Sequence, residues 1–154
     1  MLRIRLLTLV RAGMGEATDS TGWDERAWIA IILRSGMACL YGIAGLDKII
    51  DGPGAFVEYA RDYLQGSWMP APLVEAYAWV MPFAQLAIAA WLVSGYRLRA
   101  AWITVSFYTL TIAVGSEIAG RYGAGANAYL FLGLCCAGLW FSRWDRLRPG
   151  SRIG

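Results

Sequence analysis

The sequence predicts an all-α protein that crosses a membrane as a four-helix bundle, with a short amphipathic helix on the outer surface between helices one and two. Apolar residues make up 58% of the 154-residue chain and charged residues only 16%, far from the usual soluble composition. Four apolar stretches each approach the roughly 20 residues that cross a bilayer core about 30 Å thick. Little chain then remains for a separate soluble domain.

The predicted membrane domain covers residues 27–142, with spans at 27–50, 73–95, 98–119 and 124–142. Residues 1–26 begin with interspersed leucines and arginines up to Arg11, which predicts a basic amphipathic segment on an anionic leaflet; a loose basic tail is the alternative. Its apolar run is too short for a cleaved signal peptide, so we expect it to be retained. Residues 143–154 form a second basic tail.

The distribution of basic residues predicts the orientation, because short loops rich in Lys and Arg stay in the cytoplasm. One side of the predicted bundle carries ten of the fourteen Lys and Arg residues: Arg3, Arg5, Arg11, Arg26, Arg97, Arg99, Arg143, Arg146, Arg148 and Arg152. The other side carries Lys48, Arg61 and Arg121. Both termini are therefore predicted to lie in the cytoplasm, and the net charge of +3 reflects topology and not nucleic-acid binding. The expected location is the cytoplasmic (inner) membrane of a bacterium or archaeon.

The long connection at residues 51–72 begins and ends with glycines and prolines that break helices, and it contains the predicted outer helix. Apolar residues recur there at intervals of three and four: Phe56, Tyr59, Ala60, Tyr63 and Leu64. We expect this helix to lie flat on the outer surface, with capping of a partner protein as the alternative.

Histidine is absent from the chain, which removes the commonest metal ligand and general base. Cys39, Cys135 and Cys136 fall within predicted spans and form no CxxC pair, so neither a zinc site nor a disulfide framework is indicated. The residues therefore predict no catalytic group, no metal and no cofactor held by identifiable ligands.

Two polar residues inside predicted spans are candidates for an interior contact. Arg34 lies seven residues past Ala27, about 10 Å deep, where an arginine is costly. It could extend towards the inner headgroups, bond to Gln85 on helix two, or contact a quinone or lipid headgroup. Pro82, one turn before Gln85, is predicted to kink that helix.

Near the outer face, five charged residues occupy comparable heights: Asp47, Lys48, Glu75, Glu117 and Arg121. Opposite charges at that level can pair across helices, so we predict a structural clamp. A substrate site is the alternative, with Glu117 as its unpaired carboxylate.

Helix contacts in lipid rely on small residues, and pairs four apart are frequent. These are Ser35 with Cys39, Ala38 with Gly42, Ala90 with Ser94, Gly133 with Ala137, and Gly138 with Ser142. One compact bundle cannot bury every such face, so we expect some of them to meet another subunit.

Several segments in order resemble the DoxX family of small four-helix membrane proteins, which includes DoxD and the MauE proteins. They are an Arg early in helix one, LYGIAGLDKI at its outer end, GAFVEYARDYL with a proline-rich link, MPFAQL, the turn GYRLRAA and the ending LWFSRWD. The resemblance implies a quinone-linked membrane. Where the family often has a Glu in helix two this chain has Gln85, and GRYGAGANAY lacks the cysteines of many MauE-like proteins.

The functional prediction is a non-catalytic accessory subunit of a larger membrane redox or energy-transducing complex, in contact with lipid and other membrane subunits. One alternative implied by the resemblance is a DoxD-like subunit of a thiosulfate:quinone oxidoreductase. The other is a small-solute transporter, for which four helices without an inverted repeat give little room.

The topology has a direct test. Cysteines introduced at positions 58–62 should be labelled by an impermeant reagent from the outside, and cysteines at 97 and 146 only after the membrane is opened. Labelling of positions 58 and 97 from the same side would contradict the four-span topology.

Overall fold

The computed structural model describes residues 24–147 and 149, so most of the predicted N-terminal segment and half of the predicted C-terminal tail lie outside the described residues. The described chain forms five α-helices and a final 3-10 turn. They are α1 (Glu25–Ile50), α2 (Pro53–Tyr63), α3 (Ala71–Ser94), α4 (Leu98–Ile118), α5 (Tyr122–Phe141) and the turn Ser142–Trp144. All except α2 and the turn are long and apolar enough to span a membrane. The predicted fold class is confirmed, and the protein is a multi-pass membrane protein.

Local sequence signals explain where the helices begin and end. Asp24 caps α1, because its Oδ1 accepts a hydrogen bond of 2.9 Å from the backbone N–H of Ala27. Pro53 begins α2 at a position where a helix has no use for the missing N–H. Gly95 ends α3 with a φ of +68°, which glycine adopts without steric cost.

The spans pack as two antiparallel pairs, α1 with α3 and α4 with α5, and α1 also contacts α5. The short helix α2 packs mainly on α3, and we call that end of the bundle the α2 end. The opposite end holds the turn between α3 and α4 together with the final 3-10 turn. We call it the basic end, after the arginines that the sequence concentrates there.

Small residues allow α1 and α3 to approach closely. A Cβ on Gly45 would lie 3.0 Å from the carbonyl oxygen of Pro82 and 3.0 Å from the Leu86 side chain. One turn earlier, a Cβ on Gly42 would lie 3.6 Å from Ala89. Residue numbers thus rise along α1 as they fall along α3, as in an antiparallel pair. The two close contacts fix the register, because only small residues fit at these positions.

Trp102 determines the packing of α4 on α5. Its side chain is fully buried, and a Cβ on Gly138 would overlap the indole ring. Only glycine at position 138 leaves room for this ring. Around it lies a core of buried apolar residues from all four spans: Met37, Ala38, Tyr41, Ile88, Ala89, Leu92, Leu98, Ala101, Val105 and Cys135.

The predicted partner faces therefore divide into two groups. Ala38 is buried in the core, Gly42 faces Ala89 of α3, and Gly138 accommodates Trp102, so these three residues serve contacts within the bundle and do not form a free docking face. Ala137 is half-buried. Gly133 is exposed, and a Cβ there would meet no described atom within 4 Å.

This division predicts opposite outcomes for two glycines of the same helix. Gly138→Ala should destabilise the bundle by about 1–3 kcal/mol, because the added methyl group overlaps the buried Trp102 ring. The matched control, Gly133→Ala, adds the same methyl group to open space and should not destabilise it. Thermal unfolding of the two variants in one mild detergent would test this, and equal stability would contradict the described packing.

Candidate functional site

The most deeply buried charges in the described chain form one ion pair. Arg34 is 8% exposed and Asp145 is 2% exposed. Arg34 Nη1 donates to Asp145 Oδ2 at 2.9 Å, and Asp145 Oδ1 accepts a second bond of 2.9 Å from the backbone N–H of Leu147. Both carboxylate oxygens are thus satisfied, which a buried charge requires.

Local structure at the basic end positions this carboxylate. The 3-10 turn that follows α5 directs the chain back over the bundle, and its first residue, Ser142, donates from Oγ to the Leu139 carbonyl at 2.7 Å. Asp145 comes immediately after that turn. Gly95 lies beside the pair, since a Cβ there would be 3.3 Å from Arg34 Nη1 and 3.2 Å from the Leu147 carbonyl. The ion pair therefore joins α1, the turn after α3, and the end of α5.

The structure gives Arg34 a partner that the sequence did not predict. The register of α1 against α3 places Gln85 near the level of Gly45, whereas the Arg34 guanidinium lies beside Gly95. Ten residues of α3 separate Gln85 from Gly95, or about 15 Å. Of the three alternatives given for Arg34, the bond to Gln85 is therefore not formed in the described structure. From the sequence, Asp145 was placed in the basic tail. Its position just after an apolar span is the sequence signal that could have indicated it as a partner for Arg34.

Aromatic rings surround the basic end and carry arginines on their faces. The Arg143 guanidinium carbon lies 3.9 Å from the centre of the Trp144 ring and 4.6 Å from that of Trp140. Arg26 lies 5.2 Å from Trp144 on the side of α1. Cation–π contacts of this kind, with tryptophans at one level, are typical of a membrane interface.

A second polar group lies in the middle of the bundle. The Tyr41 hydroxyl of α1 bonds to Thr109 Oγ1 of α4 at 2.5 Å, and Thr109 Oγ1 lies 3.6 Å from Cys135 Sγ of α5. These contacts link three spans in the buried interior of the bundle. Gln85 Oε1 and the Tyr108 hydroxyl are buried near this group, and neither has a hydrogen-bond partner among the described residues.

A cavity of about 380 Å³ lies at the α2 end. All five helices contribute to its wall, which consists of Lys48 of α1; Phe56, Tyr59, Ala60 and Tyr63 of α2 with Leu64 just after it; Val74, Tyr77, Ala78 and Met81 of α3; Thr111, Ile112, Gly115 and Ser116 of α4; and Ala124, Asn127, Ala128 and Phe131 of α5. The five residues of the predicted apolar face of α2 all line it. That face covers the bundle's own cavity.

The five residues of the predicted clamp do not form ion pairs with one another in the described structure. Glu75 pairs instead with Arg61 of α2, at 2.8 Å, in an exposed position. Arg121 lies over the Tyr63 ring, and the Glu117 carboxylate lies against the backbone of Gly125. Asp47 is exposed, and Lys48 faces the cavity.

The fold and these sites define a class: a small multi-pass helical membrane protein whose interior charges tie its helices together. The described residues contain no group of three His, Cys, Asp or Glu side chains placed to hold a metal.

A family model described as "Methylamine utilisation protein MauE" matches residues 26–127, about two thirds of the chain. The chain therefore belongs to the MauE family of membrane proteins. No curated protein and no solved structure matches the chain. The match supports the MauE part of the resemblance seen in the sequence, and the DoxX and DoxD parts stay predictions. It includes Arg34 and ends before Asp145.

The ion pair predicts a non-additive mutational pattern. Arg34→Leu or Asp145→Leu alone leaves an uncompensated buried charge, so each should destabilise the bundle by about 3–5 kcal/mol while membrane insertion stays intact. The double variant Arg34→Leu with Asp145→Leu should lose clearly less than the sum of the two, because no lone charge remains.

Unfolding of the three variants and the wild type in mixed micelles measures this coupling. The exposed pair offers a control, since Arg61→Leu and Glu75→Leu should show a coupling of about 0–1 kcal/mol. Additive losses at Arg34 and Asp145 would show that the two charges do not interact.

Proposed function

We propose that this protein is a non-catalytic accessory subunit that supports methylamine utilisation by associating with other proteins of a membrane redox complex. Family membership supports the methylamine context, since the matching family is described by that process. The oxidation of an amine releases electrons that a membrane system must accept, which connects this context with the redox role expected from the sequence.

The observation that carries the proposal is the outward face of α5. In its most apolar stretch 22% of the residues are buried, against 33% in each of the other three spans. Leu130, Gly133 and Leu134 are exposed on this helix, and Gly133 leaves a notch between the two leucines. A glycine notch on an apolar surface lets a second helix approach its backbone closely, and such contacts drive helix association in lipid.

The described polar groups support a structural role. Arg34 and Asp145 bond each other, and Tyr41 and Thr109 bond each other across helices. The hydrogen bonds of these side chains therefore join one span to another. An accessory subunit needs a rigid surface of this kind more than it needs a reacting side chain.

A leucine at position 133 tests the proposal. Gly133→Leu should release the subunit from its complex, because the larger side chain fills the notch. The control, Gly123→Leu, adds the same side chain at an exposed glycine near the start of the same helix, where a Cβ would also meet no described atom within 4 Å. Position 123 lies ten residues from the notch, or about 15 Å, so this variant should leave the complex intact.

Both variants would be extracted from native membranes in a mild detergent, separated on native gels and analysed by mass spectrometry for co-migrating proteins. Growth on methylamine as sole nitrogen source would be compared in parallel. A wild-type protein that migrates only as a free monomer would contradict the accessory role. Thiosulfate-dependent quinone reduction by the purified protein would favour the DoxD-like alternative instead.

A further inference from the structure

The cavity at the α2 end extends from the surface towards the middle of the membrane. Its wall includes Val74 and Met81 of α3, which are seven residues apart, and Ala124 and Phe131 of α5, which are also seven apart. Seven residues of helix span about 10 Å. The cavity is therefore elongated along the bundle, and α2 covers its shallow end.

The deep part of the cavity is apolar. Met81, Ile112 and Phe131 line it from three different spans. Four of the five hydroxyls on the wall pair with each other: Tyr77 bonds to Thr111 at 2.7 Å, and Tyr63 donates to Ser116 at 3.2 Å. The Tyr59 hydroxyl and the Asn127 amide are the other neutral polar groups of the wall. The wall thus offers a bound molecule mainly an apolar surface.

Lys48 is different, because it keeps unused hydrogen-bonding capacity. Its Nζ donates to the Ala44 carbonyl at 2.9 Å and lies 5.1 Å from the centre of the Phe56 ring. An ammonium group has three donors, and no described carboxylate lies within ion-pair distance of this one. Lys48 stands near the end of α1, at the shallow end of the cavity under α2. A positive charge therefore lies at the mouth of an apolar chamber.

We propose that this cavity binds a single-chain amphiphile with a carboxylate head, a fatty acid, whose tail extends down to Met81 and Phe131 while its carboxylate pairs with Lys48. The volume of about 380 Å³ lies at the small end of ligand cavities, roughly 300–1,000 Å³, so it suits one chain and not the two of a phospholipid. This site does not depend on the accessory role proposed above. A protonated amine such as methylammonium would meet the like charge of Lys48, so the cavity selects against it.

Photolabelling tests the proposal on the full-length protein in zwitterionic nanodiscs. The probes are a fatty acid with a photoactivatable group near the chain end, its methyl ester, and a phosphatidylglycerol with the same group. The fatty acid should crosslink to residues around Met81 and Phe131, and the other two probes should not. Equal labelling by the methyl ester would overturn carboxylate recognition, and preferential labelling by phosphatidylglycerol would overturn the single-chain ligand.

Two pairs of variants separate head-group recognition from tail binding. Lys48→Met should lower the affinity for the fatty acid about tenfold, because one charge-assisted bond is lost, and Lys48→Arg should retain most of it. Gly115→Leu should abolish labelling, because Gly115 lines the cavity and a Cβ there would meet no described atom within 4 Å. Gly36→Leu, away from the cavity, should label as the wild type does.

Thermal unfolding would confirm that each variant is folded before labelling. If Lys48→Met fails to fold, the comparison of the three probes on the wild type still shows whether the cavity recognises a carboxylate head group. Unchanged labelling in Gly115→Leu, or fatty-acid crosslinks only at lipid-facing positions, would overturn the site.

Discussion

The buried ion pair between Arg34 and Asp145 is the interaction on which the arrangement of the helix ends depends. Removing two charges from water is expensive, and the cost is offset only when the geometry is good and the remaining lone pairs are satisfied. Asp145 meets that condition because the chain turns back after α5 and brings the Leu147 N–H to its second oxygen. The first span, the turn at Gly95 and the end of the last span are therefore fixed together.

Between its two ends the bundle is held by close packing and by a few interior hydrogen bonds. Lipid tails are as apolar as leucine, so burial from water contributes little to the contact between spans, and the contacts must fit in shape. Gly45 fits the Pro82 carbonyl, and Gly138 fits the Trp102 ring. These contacts also explain why Gly45 and Gly138 are not available to a partner protein, whereas Gly133 stays exposed.

The periodicity of the sequence predicted the helix α2 and its apolar face, but the packing of α2 against the four spans decides what that face contacts. Its apolar residues were predicted to share one face, and all five of them line the cavity between α2 and the spans. Because α2 crosses the end of the bundle, it leaves a chamber below it. The Lys48 side chain lines that chamber. Glu75, at a similar height, forms an ion pair with Arg61 of α2.

The sequence by itself determined the class of protein and its four spans, because hydropathy, helix length and capping are local properties that each segment carries alone. It also indicated the grouping of Phe56 with Tyr63, since a period of 3.6 residues sets a face without any neighbour. Only the tertiary structure decided the partner of Arg34, since Asp145 lies 111 residues away along the chain. The contact of Gly138 with Trp102 and the cavity at the α2 end also depend on the register between helices. That register is set by the fit of side chains on different helices.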